Sequence, residues 1–148
     1  MEHYLKKYAK LLTHYCLSAK KNEFILIQTT TAGEPLLPYL YQEILSVGAH
    51  VEVLLTFKHQ QYSFYNNATT KQLETPPILL DHAIEKFDAI LTIDAPHVSR
   101  ECRNIPNSKK TCRALALEPI RQKKSYRSGK GDIKWTLCIY PTAALAKE

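Results

Sequence analysis

The sequence predicts an α/β domain on a mostly parallel sheet of about four strands, and three observations predict it. Four short, strongly apolar runs, Phe24–Gln28, Val51–Thr56, Asp88–Ile93 and one beginning near Ile133, lack the strict in-and-out alternation of half-exposed strands. Segments of helical period lie before and between them. The first two runs are joined by one helix and a short link, the spacing of a right-handed βαβ crossover with parallel pairing. Strands apolar on both sides need helices on both faces, so the expected architecture is Rossmann-like, with three layers.

Residues 2 to about 18 place Tyr4, Leu5, Tyr8, Leu11, Leu12, Tyr15 and Cys16 at steps of three and four, with Lys6, Lys7 and Lys10 between them. This is an amphipathic helix packed on a core. Lys20–Glu23 reads as a polar turn in which Asn22 takes a left-handed conformation, and Phe24–Gln28 follows as an interior strand. Residues 29–33, three threonines, Ala32 and Gly33, leave that strand. Glu34-Pro35 opens a helix at a position where proline's missing N–H costs nothing, and Gly48 caps its end. After the second strand, residues 58–77 read as short helical turns closed by Pro76-Pro77. Ile78–Lys86 is a helix and Asp88–Ile93 the third strand, stopped by the segment Asp94–Pro96. From Ser108 to about Lys124 a basic helical segment is interrupted by Pro119, which predicts a kink or two shorter helices. Ser128–Gly131 is a turn. Trp135–Tyr140 has the near-continuous apolar character of an interior strand, and Pro141-Thr142 turns it into the first turn of a helix over Ala143–Lys147, a segment that promises a further element after Glu148.

Composition narrows the class. With 45% apolar and 23% charged residues the chain is an ordinary globular protein. No run approaches the roughly 20 apolar residues of a membrane span, and the N-terminus lacks the layout of a signal peptide, so a soluble cytoplasmic protein with no membrane partner is expected. Cys16, Cys102, Cys112 and Cys138 form no C-x-x-C pair and have no histidine at zinc-finger spacing, which points to isolated reduced thiols. Asn67–Thr69 matches a glycosylation triplet without a secretory context. The net charge of +6 is uneven: residues 100–134 hold eleven Lys and Arg against Glu101, Glu118 and Asp132, a local balance of +8. Only Tyr126 is aromatic there and no nucleic-acid motif is present, so the tract is expected to be a solvated or internally paired surface rather than a nucleic-acid interface.

Ligands of parallel sheets gather beyond the carboxyl ends of the strands, here Thr29–Gly33, Phe57–His59, Asp94–His97 and Pro141-Thr142. The Thr29–Gly33 loop could seat an anion, but no G-x-G-x-x-G or Walker pattern is present, and its threonines fit helix capping better. Asp94 and His97, three apart at a strand end, are spaced so that a carboxylate could orient an imidazole; Pro96 between them favours a turn. His50 and His82 read as surface histidines, and Ser63, Ser99 and Ser125 lie outside any G-x-S-x-G context. No residue is assigned as catalytic, cofactor-binding or metal-binding.

Several segments together nevertheless point to a family. Leu5–Leu17, Lys20–Ile27 with its Lys20-Lys21-Asn22 turn, Pro38–Glu43, Val47–Val53 and above all Trp135–Ala146, with a strand followed by Tyr140-Pro141-Thr142-x-x-x-Ala146, in that order resemble the N-terminal half of the thermophilic-type metallo-aminopeptidases, which include aminopeptidases S, T and II. The similarity extends over essentially the whole chain. Departures are Lys21-Asn22-Glu23 where the family has a Lys-Gly-Asp-like turn, the loosely matching region 56–77, and the rich basic tract.

The resemblance implies that residues 1–148 are one domain, the N-terminal half of a longer, homodimeric exopeptidase that removes N-terminal amino acids from peptides with a pair of divalent metals, cobalt, zinc or magnesium. The family's metal ligands lie in the C-terminal half, a catalytic domain that would be this chain's partner, so none is carried over. On that reading the chain alone is inactive, binds no metal pair and shapes the substrate entrance and a dimer surface. The competing expectation is a free-standing Rossmann-like module that binds a small anion or an acidic partner.

Overall fold

A computed structural model describes residues 1–98 and 100–147; Ser99 and Glu148 lie outside the described residues. Four strands, β1 (Phe24–Thr30), β2 (His50–Thr56), β3 (Ala89–Asp94) and β4 (Lys134–Ile139), form one sheet in the order β2-β1-β3-β4. Every pairing is parallel, as the apolar runs required.

The helices are α1 (Glu2–Lys10), which continues as a wider π-type turn over Leu11–Cys16, then α2 (Leu37–Ser46), α3 (Gln60–Asn67), α4 (Thr70–Glu74), α5 (Ile78–Lys86) and α6 (Asn107–Gly129). One face of the sheet carries α1 and α2. There Leu12, Leu17, Leu36, Leu40 and Ile44 bury against Ile25, Ile27, Leu91 and Ile93. The opposite face carries α5 and α6, where Ala83, Ile84 and Ile120 meet Leu26 and Ile90. Alternate residues of β1 and β3 thus enter two different cores, which makes three layers. A third, smaller cluster, Tyr65, Leu73 and Ile105, joins α3, α4 and the loop before α6. It lies outside both sheet cores.

Local expectations hold at many points. Asn22 is left-handed at φ 67° and Gly48 at φ 81°, and the Gly48 N–H bonds back to the Leu45 carbonyl at 2.9 Å, a left-handed helix end that glycine adopts without a Cβ clash. Residues 58–77 do form short helices, the second opened by a reciprocal cap between Thr69 and Gln72. Four expectations are corrected. First, β1 runs on through Thr29 and Thr30 instead of ending at Gln28, because the Thr29 hydroxyl donates to the Ile93 carbonyl at 3.0 Å and holds the extended backbone beside β3. Second, Pro35 lies inside a 3-10 turn, Thr31–Leu36, and α2 begins only after it; Thr30 caps this turn, accepting from the Ala32 N–H at 3.1 Å. Third, of the two alternatives at Pro119, the division into two shorter helices is not found: α6 is assigned as one helix of 23 residues with Pro119 inside it. The carbonyl that Pro119 deprives of its helical partner belongs to Leu115, 68% exposed, where water can serve it.

The fourth correction concerns β4. Its composition reads as interior, yet it is the sheet's outer strand on the β3 side, and Trp135, Leu137 and Ile139 are 54%, 60% and 60% exposed. Its other face is anchored: Cys138 is buried, the Tyr8 hydroxyl donates to the Ile139 carbonyl, and the Lys134 ammonium pairs with Glu23 at 2.7 Å. After β4, Thr142 caps a single 3-10 turn, its hydroxyl accepting from the Leu145 N–H at 3.3 Å.

The basic tract is largely engaged inside the fold. From α6, Lys109 donates to the Tyr65 carbonyl in the last turn of α3, Arg113 to the Leu73 and Thr75 carbonyls at the end of α4, and Arg127 to the Ile84 and Phe87 carbonyls at the end of α5. Helix C-termini leave carbonyls unpaired and carry partial negative charge, so one long cationic helix caps three short ones. Lys123 adds an ion pair to Asp81 at 2.6 Å. Among the described residues no helix is long and apolar enough to cross a membrane.

Candidate functional site

The strand order places the topological switch between β1 and β3, since the chain leaves β1 to one side for β2 and returns to the other side for β3. A cleft of about 830 Å3 opens beyond the carboxyl ends of these three strands. Register sets its floor: Thr30 pairs with Thr56, and Gln28 with Thr92, so Asp94 stands level with Thr30. Around that row stand the loop after β2 with Phe57, Lys58 and His59, the loop after β3 with His97, Arg100 and Glu101, and Phe64 and Arg113 from α3 and α6. A smaller hollow of about 280 Å3 adjoins it beside Pro96, His97, Tyr140 and Pro141.

Two hydrogen bonds fix the cleft's loops to one another. His59 Nδ1 and the Glu101 carboxylate pair across the mouth, joining the loop after β2 to the loop after β3. Thr31 Oγ1 and His97 Nε2 share a bond of 2.7 Å, joining the turn after β1 to the same loop. Two of the chain's non-glycine residues with positive φ, His59 at 65° and Arg100 at 54°, line this one cleft. Such backbone costs of order 1–3 kcal/mol per residue and persists where surrounding structure enforces it. The Arg113 guanidinium lies 4.9 Å from the centre of the Phe64 ring, which holds that aromatic face against the cleft wall.

Three of the four strand-end segments named from sequence meet at this cleft: Thr30, Phe57–His59 and Asp94–His97 contribute to its wall, while Pro141 and Thr142 line the smaller hollow. The Asp94–His97 pair is not assembled. His97 bonds to Thr31 instead, and Asp94 remains an exposed carboxylate at the strand end, as Pro96 between them favours. His50 stacks on the Phe24 ring at 4.4 Å, and His82 is exposed on α5. Ser63 and Ser125 are exposed helix residues, and Ser99 lies outside the described residues. All four cysteines are free thiols. Burial holds the Cys102 and Cys138 thiols above their ordinary pKa, so neither is an activated nucleophile. Sequence reading missed Phe64, Glu101 and Arg113 as neighbours of the strand ends. They come from α3, a loop and α6, far apart in the chain, and no local motif marks them.

The residues present do not fit a pair of metal ions. Among the described residues no group of three or more His, Cys, Asp and Glu side chains stands together. His59 and His97, the cleft's imidazoles, are engaged with Glu101 and Thr31.

Comparison with known proteins gives the chain its relatives. A search of curated proteins gives no significant match. Among solved structures, wild-type AmpT from Thermus thermophilus superposes with a TM-score of 0.77 at 15% identity, over 95% of this chain and 36% of that one. At that identity the likeness establishes the shared fold. The chain spans about a third of the matched structure's length. The family model for the thermophilic metalloproteases, M29, matches residues 1–148 from end to end. The chain belongs to the thermophilic metalloprotease family, M29.

Proposed function

We propose that this chain is the N-terminal α/β half of a cytoplasmic metal-dependent aminopeptidase, which hydrolyses N-terminal amino acids from peptides. The observation that carries the proposal is the end-to-end match of residues 1–148 to a metalloprotease family; a known structure that this fold matches over 36% of its length supports a larger parent. Cobalt, zinc or magnesium ions would be held by a C-terminal catalytic domain, and this half would shape the substrate entrance and a surface for homodimerisation. The cleft at the switch point is where such an entrance would lie. A separate acidic-partner module draws less support from the basic tract, since Lys109, Arg113, Lys123 and Arg127 are engaged within the fold.

The test is a comparison of two proteins. The 148-residue chain alone is expected to release no N-terminal residue from peptides with any of the three metals. The product of the reading frame continued beyond Glu148 is expected to do so and to lose that activity to a chelator. Metal-dependent release by the pure 148-residue chain, or an inactive continued product with all three metals, overturns the proposal.

A further inference from the structure

β4 is covered on one face only. On the α1 side, the Tyr8 hydroxyl reaches the Ile139 carbonyl, the Thr136 hydroxyl donates to the Cys16 carbonyl at 3.3 Å, and the Lys134 ammonium donates to the Ser18 carbonyl at 2.9 Å. The first helix and its π-type turn therefore lie along the strand. Register defines the other face: Trp135 pairs with Ile90, Leu137 with Thr92 and Ile139 with Asp94, and Ile90 belongs to the core under α5 and α6. Paired residues direct their side chains to the same face, so Trp135, Leu137 and Ile139 stand in a row on the α6 side. Lys124 of α6 reaches over the Trp135 ring at 4.6 Å, yet all three side chains stay more than half exposed. A contiguous apolar row of this kind marks an interaction surface.

The path of the chain indicates what fits there. From β1 to β2 the crossover runs one way along the sheet, with α2 on the α1 face; from β2 to β3 and from β3 to β4 it runs the other way, with α5 and α6 on the opposite face. Opposite directions on opposite faces give all three connections one hand, the right-handed one of parallel sheets. A connection from β4 to a further parallel strand on its open edge runs in the direction of the last two. The same hand lays its helix on the α6 face, over Trp135, Leu137 and Ile139.

We infer that a helix from the segment after residue 148 covers this face of β4 beside α6, with its apolar stripe on Trp135, Leu137 and Ile139. The inference rests on the reading of this chain as part of a longer enzyme, and a fold that matches 36% of a solved chain leaves length for such a segment. The rival occupant is a second copy paired edge to edge at β4. It would lengthen the sheet but leave the three side chains standing out of it, so it fits this face less well.

Trp135 is the chain's sole tryptophan and so reports on the face directly. Acrylamide quenching of its fluorescence is compared in the 148-residue chain and in the product of the reading frame continued beyond it, with Trp135→Phe of the latter subtracted to remove any added tryptophan. Covering the ring should lower the quenching constant at least about threefold in the continued product. Leu137→Asp should leave the short chain folded by circular dichroism and, in the continued product, return the quenching of Trp135 toward that of the short chain. Equal quenching of Trp135 in the two proteins, or indifference of the continued product to Leu137→Asp, overturns the inference. Protection that appears in the short chain as its concentration rises gives the face to a second copy and also overturns it. A continued product that releases N-terminal residues but leaves Trp135 fully quenchable removes the inference and keeps the peptidase reading. An inactive continued product with Trp135 protected does the reverse.

Discussion

Arg127 of α6 closes the C-terminal end of α5 on Ile84: its Nη1 donates to the Ile84 carbonyl at 2.6 Å and to that of Phe87 at 3.0 Å, while Nη2 reaches the Asp132 carbonyl at 3.0 Å. One guanidinium therefore satisfies three carbonyls and fixes both the helix end and the turn into β4. Hydrogen bonds to a charged group contribute about 1.5–3 kcal/mol, and orphaned carbonyls cost more than an absent pair. Arg127→Ala should cost about 2–3 kcal/mol, read from the denaturant midpoint. Arg127→Lys should recover less than half, since a single ammonium cannot reproduce the planar fork. Full recovery by lysine would show that charge alone, rather than the fork, holds the helix end.

Gly33 is required for its lack of a side chain rather than for its backbone angle. A Cβ there would collide with Thr29 Oγ1 and stand 3.2 Å from the Ala95 Cβ. Thr29 is 6% exposed and its hydroxyl is committed to the Ile93 carbonyl, so it cannot swing aside without loss. Gly33→Ala should destabilise by about 2 kcal/mol, in the range of overpacked cores. Gly129→Ala, with open space around the added methyl, should gain up to about 1 kcal/mol of helix propensity at the end of α6. Equal midpoints for the two variants would contradict this close approach of the turn after β1 to Thr29 and Ala95.

Thr13 lies in the π-type turn after α1, fully buried, with no hydrogen-bond partner for its hydroxyl among the described residues. A buried unsatisfied hydroxyl costs about 1–3 kcal/mol. Thr13→Val keeps the branched shape and removes the hydroxyl, so it should raise stability by about 1 kcal/mol, whereas Thr13→Ser, which keeps the hydroxyl and loses a methyl, should lower it. A destabilised Thr13→Val would mean that a bound water satisfies the hydroxyl.

Burial pushes the Cys138 thiol and the Tyr8 phenol above their ordinary pKa values. In the unfolded chain these groups lose protons near pH 8.5 and 10, respectively, as approximate reference values. Between those values and the raised folded ones the unfolded state binds fewer protons, so stability falls as pH rises. The contribution is complete below about pH 8.5 and declines above it as pH climbs toward the folded values. Urea midpoints from pH 7.5 to 9.5 should fall less steeply for Cys138→Ala than for the parent chain. Parallel curves would exclude the buried thiol as a source of the alkaline loss.

Elements were legible where local chemistry and tertiary packing agree. Ile78–Lys86 is bounded in sequence by Pro76-Pro77 and the β-forming run after Phe87, and α5 occupies those residues. Thr29 and Thr30 belong to β1 because of hydrogen bonds to Ile93 and Ala95, some 65 positions away, which no local pattern carries. Pro119 reads as a breaker, but the carbonyl it frees belongs to Leu115, an exposed residue of α6. The site was legible as a location, beyond the carboxyl ends of the strands, because parallel sheets dictate it. Its members were not, since His59 meets Glu101 and Arg113 meets Phe64 only after the chain has folded.

β4 poses the sharpest contrast between composition and position. Leu91 on β3 is fully buried between β1 and β4, while Leu137, in an equally apolar run, is 60% exposed on the outer strand. Removing a buried leucine forfeits transfer energy and leaves a cavity, so Leu91→Ala should cost about 3 kcal/mol. An exposed leucine has little burial to lose: Leu137→Ala should cost less than about 1 kcal/mol. Guanidinium midpoints of the two variants, with unchanged slopes, measure the difference directly. Should Leu137→Ala prove as costly as Leu91→Ala, something must cover β4 in solution and the interior character of its sequence would be restored. A gap of about 2 kcal/mol or more instead fixes β4 as an uncovered apolar edge in this chain.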